Sequence, residues 1–147
     1  MSPKTLLSQD QLIASAKAPL LGYNAKDWAA VQAGITKDFV YDEVATRRKV
    51  QGAEETIAVW KGWAAAFPDS KATFDKALVA GETVVFELTW RGTHTGPLQT
   101  PSGTIPPTGK SIEVRGCAIQ DLAGDRVRTQ RHYFDMATLL EQLGVKG

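Results

Sequence analysis

From Lys71 to Phe134 the chain carries four long strand-forming runs, Lys71–Val79, Thr83–Thr95, Ser111–Leu122 and Arg126–Phe134. Ala80-Gly81-Glu82 joins the first two and Ala123-Gly124-Asp125 the last two, each a short turn of the kind that closes a hairpin. The segment between the pairs, Gly96–Gly109, is rich in proline and glycine and reads as a long loop, of a length often found at a functional rim. Strands tied in this way must pair antiparallel with their sequence neighbours, which excludes a parallel α/β architecture.

Upstream of the strands the pattern is mostly helical. Ser8 and Gln11 have the spacing of a capping box. Leu12, Ile13, Ala16, Leu20 and Leu21 then follow at helical spacing despite Pro19, which is expected to kink or end the helix. Asn24 reads as the cap of a short second helix, Ala25–Ala33, with Trp28 and Val31 inward and Gly34 as its stop. Asp38–Ala45, with Phe39, Val40, Tyr41 and Val44, reads as a strand, and Arg48–Gln51 as its hairpin partner. Ala53–Phe67 is the clearest helix, with Ile57, Trp60, Ala64 and Phe67 on one stripe and Pro68 after it. Ala137–Leu143 closes the chain as a short helix ended by Gly144. Helices first and strands afterwards give an α+β domain. The expected form is a cone, a strongly curved antiparallel sheet wrapped around the N-terminal helices, with a pocket inside.

Composition narrows the functional classes. A chain of 147 residues fits one domain, 1–147. Seventeen Lys+Arg against sixteen Asp+Glu leave a net charge of +1, so no field selects nucleic acid or a membrane surface as partner. One cysteine, Cys117, and two histidines, His94 and His132, give no basis for an intrachain disulfide, a structural zinc site or a His-rich metal site. The glycines of 92–109 match no phosphate-binding pattern, so no nucleotide cofactor is expected. No apolar run reaches the ~18–20 residues of a membrane span, and Met1–Thr5 before Leu6-Leu7 is too short for a signal peptide. The expectation is a soluble cytoplasmic domain without metal or cofactor.

Several segments carry a family resemblance: Gly92-Thr93-His94-Thr95-Gly96-Pro97, Ile105-Pro106-Pro107-Thr108-Gly109-Lys110, Val114-Arg115-Gly116, Tyr133-Phe134-Asp135-Met136 and Leu139-Leu140-Glu141-Gln142-Leu143-Gly144. Together they resemble the SnoaL-type polyketide cyclases of the nuclear transport factor two-like superfamily, over nearly the whole chain. The resemblance implies the cone-shaped α+β fold and a homodimer. On the last strand the cyclases use an acid as acid/base, two residues after a histidine. Here those positions hold His132 and Gln130. Where the cyclases have polar pocket residues on the preceding strand, this chain has Gly116 and Ala118. Ketosteroid isomerases, on the same fold, are similar at the end of the first strand, where their general base corresponds to Glu43.

Alternation along strands groups the candidates by face. His132 shares a side with Gln130 and Phe134, Ala118 with Gly116 and Val114, and Glu43 with Tyr41 and Phe39. The small residues beside His132 leave room for a flat organic ligand, and Phe39, Tyr41, Trp60, Phe86 and Trp90 supply an apolar lining. On the 83–95 strand, a slip of register would exchange Trp90 for Arg91. An imidazole titrates near ~6.5 and can take and return a proton at neutral pH. His132 is thus the first candidate for a general base, with Glu43 to orient it or act as base. Gln130 or Tyr41 would hydrogen-bond a carbonyl or enolate oxygen. Three functional classes fit these residues: an acid/base enzyme acting on a hydrophobic carbonyl compound, a non-catalytic small-ligand module, and a dimerisation domain pairing through Arg115, Cys117, Arg131 and Tyr133. Simpler roles are assigned elsewhere. His94 stabilises the turn at the loop mouth, Asp135 caps the last helix, and Cys117 is a passive thiol. Trp60 and Trp63 pack the core, and Arg47-Arg48-Lys49 is a solvated turn.

Overall fold

The computed structural model describes residues 6–145; the expectation about Met1–Thr5 lies outside the described residues. Helix α1 (Gln9–Ala25) starts at the expected box: Ser8 Oγ accepts from the Gln11 N–H and Gln11 Oε1 from the Ser8 N–H. It runs through Pro19 without a break and ends at Lys26 in the left-handed region, φ 55°. Pro19 is buried, and its packing against the end of α2 (Trp28–Gly34) outweighs the one backbone hydrogen bond it removes. The cap of α2 is Asp27, whose carboxylate accepts from the Ala30 N–H, and not Asn24. Asn24 lies inside α1, where its side chain bonds both backbone groups of Ala72.

Strand β1 (Ile35–Glu43) begins three residues earlier than its sequence pattern suggests, and a short 3-10 turn, Val44–Thr46, leads into β2 (Arg48–Gln51). Helix α3 (Ala53–Ala66) is followed by β3 (Lys71–Ala80) and β4 (Thr83–Thr93). The long loop is not bare coil: β5 (Leu98–Thr100) and β6 (Gly103–Ile105) form a small hairpin within it. Next come β7 (Ser111–Ala123), β8 (Arg126–Phe134) and α4 (Met136–Gln142), the last capped by Asp135 through the Thr138 N–H.

The main sheet has the order β2-β1-β8-β7-β4-β3. Both expected long hairpins form, with β4 and β7 antiparallel between them. One pairing is different in kind: β1 lies parallel to β8, joining the first strand to the last. Register shifts interrupt β1–β8, β3–β4 and β7–β8. An extra residue on one strand bends it and increases its twist, and this α+β sheet is curved. Helix α1 lies across β3, β4, β7 and β8, and α3 packs on β1 and β2. Phe86 and Ala118 of the sheet share one packed core with Leu12 and Ala16 of α1, and Gln120 donates to the Ala16 carbonyl (3.0 Å).

Candidate functional site

A cavity of about 70 Å³ opens between α1, α3, α4 and the inner face of the sheet. It is several times the ~10–15 Å³ that one water needs. Its walls are largely aromatic: Tyr23, Tyr41, Trp60, Trp63, Phe67, Trp90 and Phe134, with Gln130, His132 and Ser70 among the few polar residues. The sheet register explains this set. Trp90 pairs with Val114, Gly116 with Phe134, and Glu43 with His132, so all of these residues face inward. Arg91 faces out and pairs with Glu113 at 2.8 Å.

Glu43 has no exposed surface. Its Oε2 accepts from the Tyr41 hydroxyl (2.8 Å) and the Trp63 indole N–H (2.9 Å), and its Oε1 from the Thr46 hydroxyl (2.5 Å) and the Arg48 guanidinium (2.9 Å). Four donors, one of them the Arg48 cation, offset the cost of burying this carboxylate. Tyr41 Oη also stands 2.9 Å from His132 Nδ1, and the Trp90 indole nitrogen 3.1 Å from His132 Nε2. These contacts determine the proton positions. An indole N–H only donates, so Nε2 of the neutral ring carries the lone pair and Nδ1 the hydrogen. The chain therefore runs in one direction: Trp90 N–H to His132 Nε2, His132 Nδ1–H to Tyr41, and Tyr41 O–H to Glu43.

Burial lowers the His132 pKa to about 4, against the opposing pull of the Glu43 charge. The ring is therefore neutral at physiological pH and a weaker base than the free imidazole, near ~6.5, that its residue type suggests. Burial, then the neighbouring Glu43 charge, raises the Tyr41 pKa well above its ordinary value, so that hydroxyl keeps its proton. Gln130 is almost wholly buried, and its Oε1 has no hydrogen-bond partner among the described residues.

The expected pocket residues divide into two groups. His132, Gln130, Tyr41, Trp60 and Trp90 line the cavity, and Glu43 stands directly behind Tyr41 and Trp63. Phe86 and Ala118, with Phe39, do not line it. They belong to the packed core, where Phe86 meets Phe74 edge-on at 5.1 Å. They alternate onto the correct face but lie deeper, where α1 fills the cone. Gly116 is small for a different reason from ligand room: a Cβ there would approach the Tyr133 carbonyl oxygen to 2.7 Å. Sequence reasoning missed Trp63 and Arg48 as supports of Glu43, having read one as core and the other as a solvated turn. It missed Tyr23 and Ser70 altogether. Helical spacing puts Trp63 one turn after Trp60, but only the tertiary arrangement aims its N–H at a carboxylate.

His94 is fully buried against Phe67, outside this cavity, and its Nδ1 accepts from the Thr108 N–H at 3.2 Å, which ties the two ends of the loop together. Cys117 is half-buried on β7, and burial raises its thiol pKa. No group of three or more His, Cys, Asp or Glu side chains suited to a metal ion occurs among the described residues. No helix among them is long and apolar enough to cross a membrane.

A curved α+β sheet closed by helices over an aromatic cavity is the nuclear transport factor two-like fold. Residues 16–143 match the SnoaL-like polyketide cyclase family, and the chain belongs to it. No curated protein matches the chain. Among solved structures, a candidate SnoaL-like polyketide cyclase from Jannaschia sp. CCS1 is similar at 21% identity and TM-score 0.82, over 98% of this chain and 100% of that one. IdmH, a candidate polyketide cyclase from Streptomyces antibioticus, is similar at 24% identity and TM-score 0.78, over 92% and 99%. An LEH-like epoxide hydrolase from M. tuberculosis is similar at 18% identity and TM-score 0.71, over 91% and 90%. Likeness at these identities is likeness of fold, and this fold serves several chemistries.

Proposed function

We propose that the chain is a cofactor-independent acid/base enzyme for a small hydrophobic carbonyl compound, with His132 Nε2 taking a proton from the carbon beside the carbonyl. The hydrogen-bonded chain from Trp90 through His132 and Tyr41 to Glu43, opening on a largely aromatic cavity, carries this reading. The Trp90 N–H and the Nε2 lone pair satisfy one another. A carbonyl oxygen inserted between them takes the N–H, and the adjacent C–H then meets the lone pair. The enolate charge falls on the oxygen held by Trp90, with Gln130 one pleat away as a further polar group. The imidazolium keeps its Nδ1–H on Tyr41 and faces the Glu43 charge through it. That attraction grows only as the proton arrives, which is the condition for lowering a barrier. In an aldol cyclisation, the first of the outcomes given the family, the carbanion attacks a second carbonyl of the same folded molecule, the imidazolium returns its proton to the alkoxide this leaves, and the cavity contributes by holding that conformation. Isomerisation and dehydration share the proton-abstraction step.

The test needs no knowledge of the natural substrate. Exchange of the α-hydrogens of 1-tetralone in D2O, followed by NMR, should be accelerated by the wild-type protein. His132→Ala should lose at least the ~100-fold typical of a general base. Exchange at the wild-type rate in that variant would overturn the assignment. One observation favours a second reading, a non-catalytic ligand-binding or dimerisation module: both ring nitrogens of His132 are already engaged by protein. Under that reading 1-tetralone binds, or is excluded, without any exchange above background.

The same proposal includes a cytoplasmic setting and a homodimer. The outer sheet face supports the dimer, since it mixes Arg115 and Arg131 with an exposed Tyr133. Sedimentation should find dimers for the wild type and monomers for Tyr133→Asp; a monomeric wild type at micromolar concentration would exclude this interface.

A further inference from the structure

The cavity has a second polar spot that the chemistry above does not use. Tyr23, near the end of α1, and Ser70, just before β3, are both buried and both line the cavity. Their hydroxyl oxygens are 2.6 Å apart. Two hydroxyls carry two O–H donors, and a mutual hydrogen bond consumes one. Neither oxygen has another partner among the described residues, so one donor and several lone pairs remain.

A purely structural role explains this pair poorly. The end of α1 is already fastened to the start of β3 at the same level. Asn24 bonds the Ala72 N–H and carbonyl at 2.8 and 3.0 Å, and the Lys26 ammonium donates to the Ser70 carbonyl. Tyr23 packs edge-on against Trp28, Trp60 and Trp90, contacts a phenylalanine would keep. Burial raises the Tyr23 pKa to about 12, so its hydroxyl is a neutral donor at physiological pH.

We infer that Tyr23 and Ser70 form a second oxygen-binding subsite, so that the compound this cavity takes carries two oxygen functions. One sits at Trp90 and His132, the other at Tyr23 and Ser70. The inference rests on the proposed reading of the cavity as a carbonyl site and specifies its substrate class. The Trp90 ring stands between the two poles, its centroid 5.5 Å from that of Tyr23 and 5.8 Å from that of His132. The matching ligand is flat and apolar across its middle, with a carbonyl at one end and a second carbonyl or a hydroxyl at the other. It is uncharged, since no lysine or arginine lines the cavity among the described residues.

The experiment compares 1-tetralone with its 5-, 6- and 7-hydroxy derivatives, each titrated into wild type, Tyr23→Phe and Ser70→Ala by calorimetry. At least one hydroxytetralone should bind wild type between about threefold and tenfold more tightly than 1-tetralone, the worth of one neutral hydrogen bond. Both variants should erase that gain and leave the affinity for 1-tetralone within about twofold. Three results overturn the subsite: no gain for any isomer in wild type, a gain that survives both variants, or an equal loss for 1-tetralone and its derivatives. If wild type fails to bind 1-tetralone at all, the carbonyl-site reading fails, and the subsite with it. If 1-tetralone binds without a hydroxyl gain, only the subsite fails. If one variant does not fold, the other decides alone, since each removes one of the two hydroxyls.

Discussion

At the residue scale the protein stores an unusual amount of polarity in one wall. Glu43, Tyr41 and His132 are all nearly or wholly inaccessible, and each is satisfied by another of the three or by a tryptophan N–H. This arrangement sets the acid response of the protein. The folded-state pKa of His132 is about 4, below the ~6.5 of an unfolded chain. The unfolded chain therefore binds the proton first as pH falls. Stability held above pH ~6.5 is lost progressively toward pH 4, by on the order of 3 kcal/mol. Urea unfolding at a series of pH values should show this limb in wild type and not in His132→Gln. Asp69, Asp121 and Asp135, held below the ordinary carboxylate range chiefly by hydrogen bonds, lose their contributions at still lower pH and cancel in that comparison. Removing the Glu43 charge takes away the one influence that raises the His132 pKa, so Glu43→Gln should move the His132 NMR titration further down. An upward move would contradict the chain of hydrogen bonds.

The elements show why close approach matters more than propensity in this fold. A Cβ on Gly116 would meet the Tyr133 carbonyl oxygen at 2.7 Å and Phe134 Cβ at 3.1 Å. Gly116→Ala must push β7 away from β8 beside the site, and should lower stability by about 1–3 kcal/mol, the usual cost of overpacking. Thermal unfolding checks this, and an unchanged midpoint would mean that the strands can give. Gly96 is tighter still: its Cβ would come within 1.9 Å of the Ala65 carbonyl oxygen, in the segment whose N–H groups bond the end of α3. Most elements were legible in the sequence because their signals are local: the Ser8 box, the Asp135 cap, the stripe on α3 and the two hairpin turns. Others were not. The cap of α2 is Asp27 and not the expected Asn24, because Asn24 is drawn away by a backbone 48 residues distant, which residue type does not show. Nor could Pro19 be seen to sit inside α1, because buried packing against α2 decides it.

For the whole molecule the decisive contact is the parallel pairing of β1 with β8, which joins the first strand of the sheet to the last and brings Glu43 beside His132. Closing so long a loop costs entropy before any contact compensates it. The two hairpins are local, so β1 should dock after the folding barrier. Truncations there, such as Ile35→Val, should speed unfolding and barely slow folding in a chevron analysis; a slowed folding limb would place β1 in the nucleus. The same contact marks the boundary between what the chain and the tertiary structure each decide. Residue order alone determined the α+β class, the antiparallel hairpins, and the faces of β1 and β8 that carry Tyr41, Glu43, Gln130 and His132, because these follow from periodicity and turn chemistry over a few residues; the family was legible separately, through the resemblance of whole segments. Depth, by contrast, is set by how helices fill the cone, and alternation cannot report it. That is why Phe86 and Ala118 fell on the right face yet outside the cavity, and why the indole N–H groups of Trp63 and Trp90, and the hydroxyls of Tyr23 and Ser70, found their places only in three dimensions.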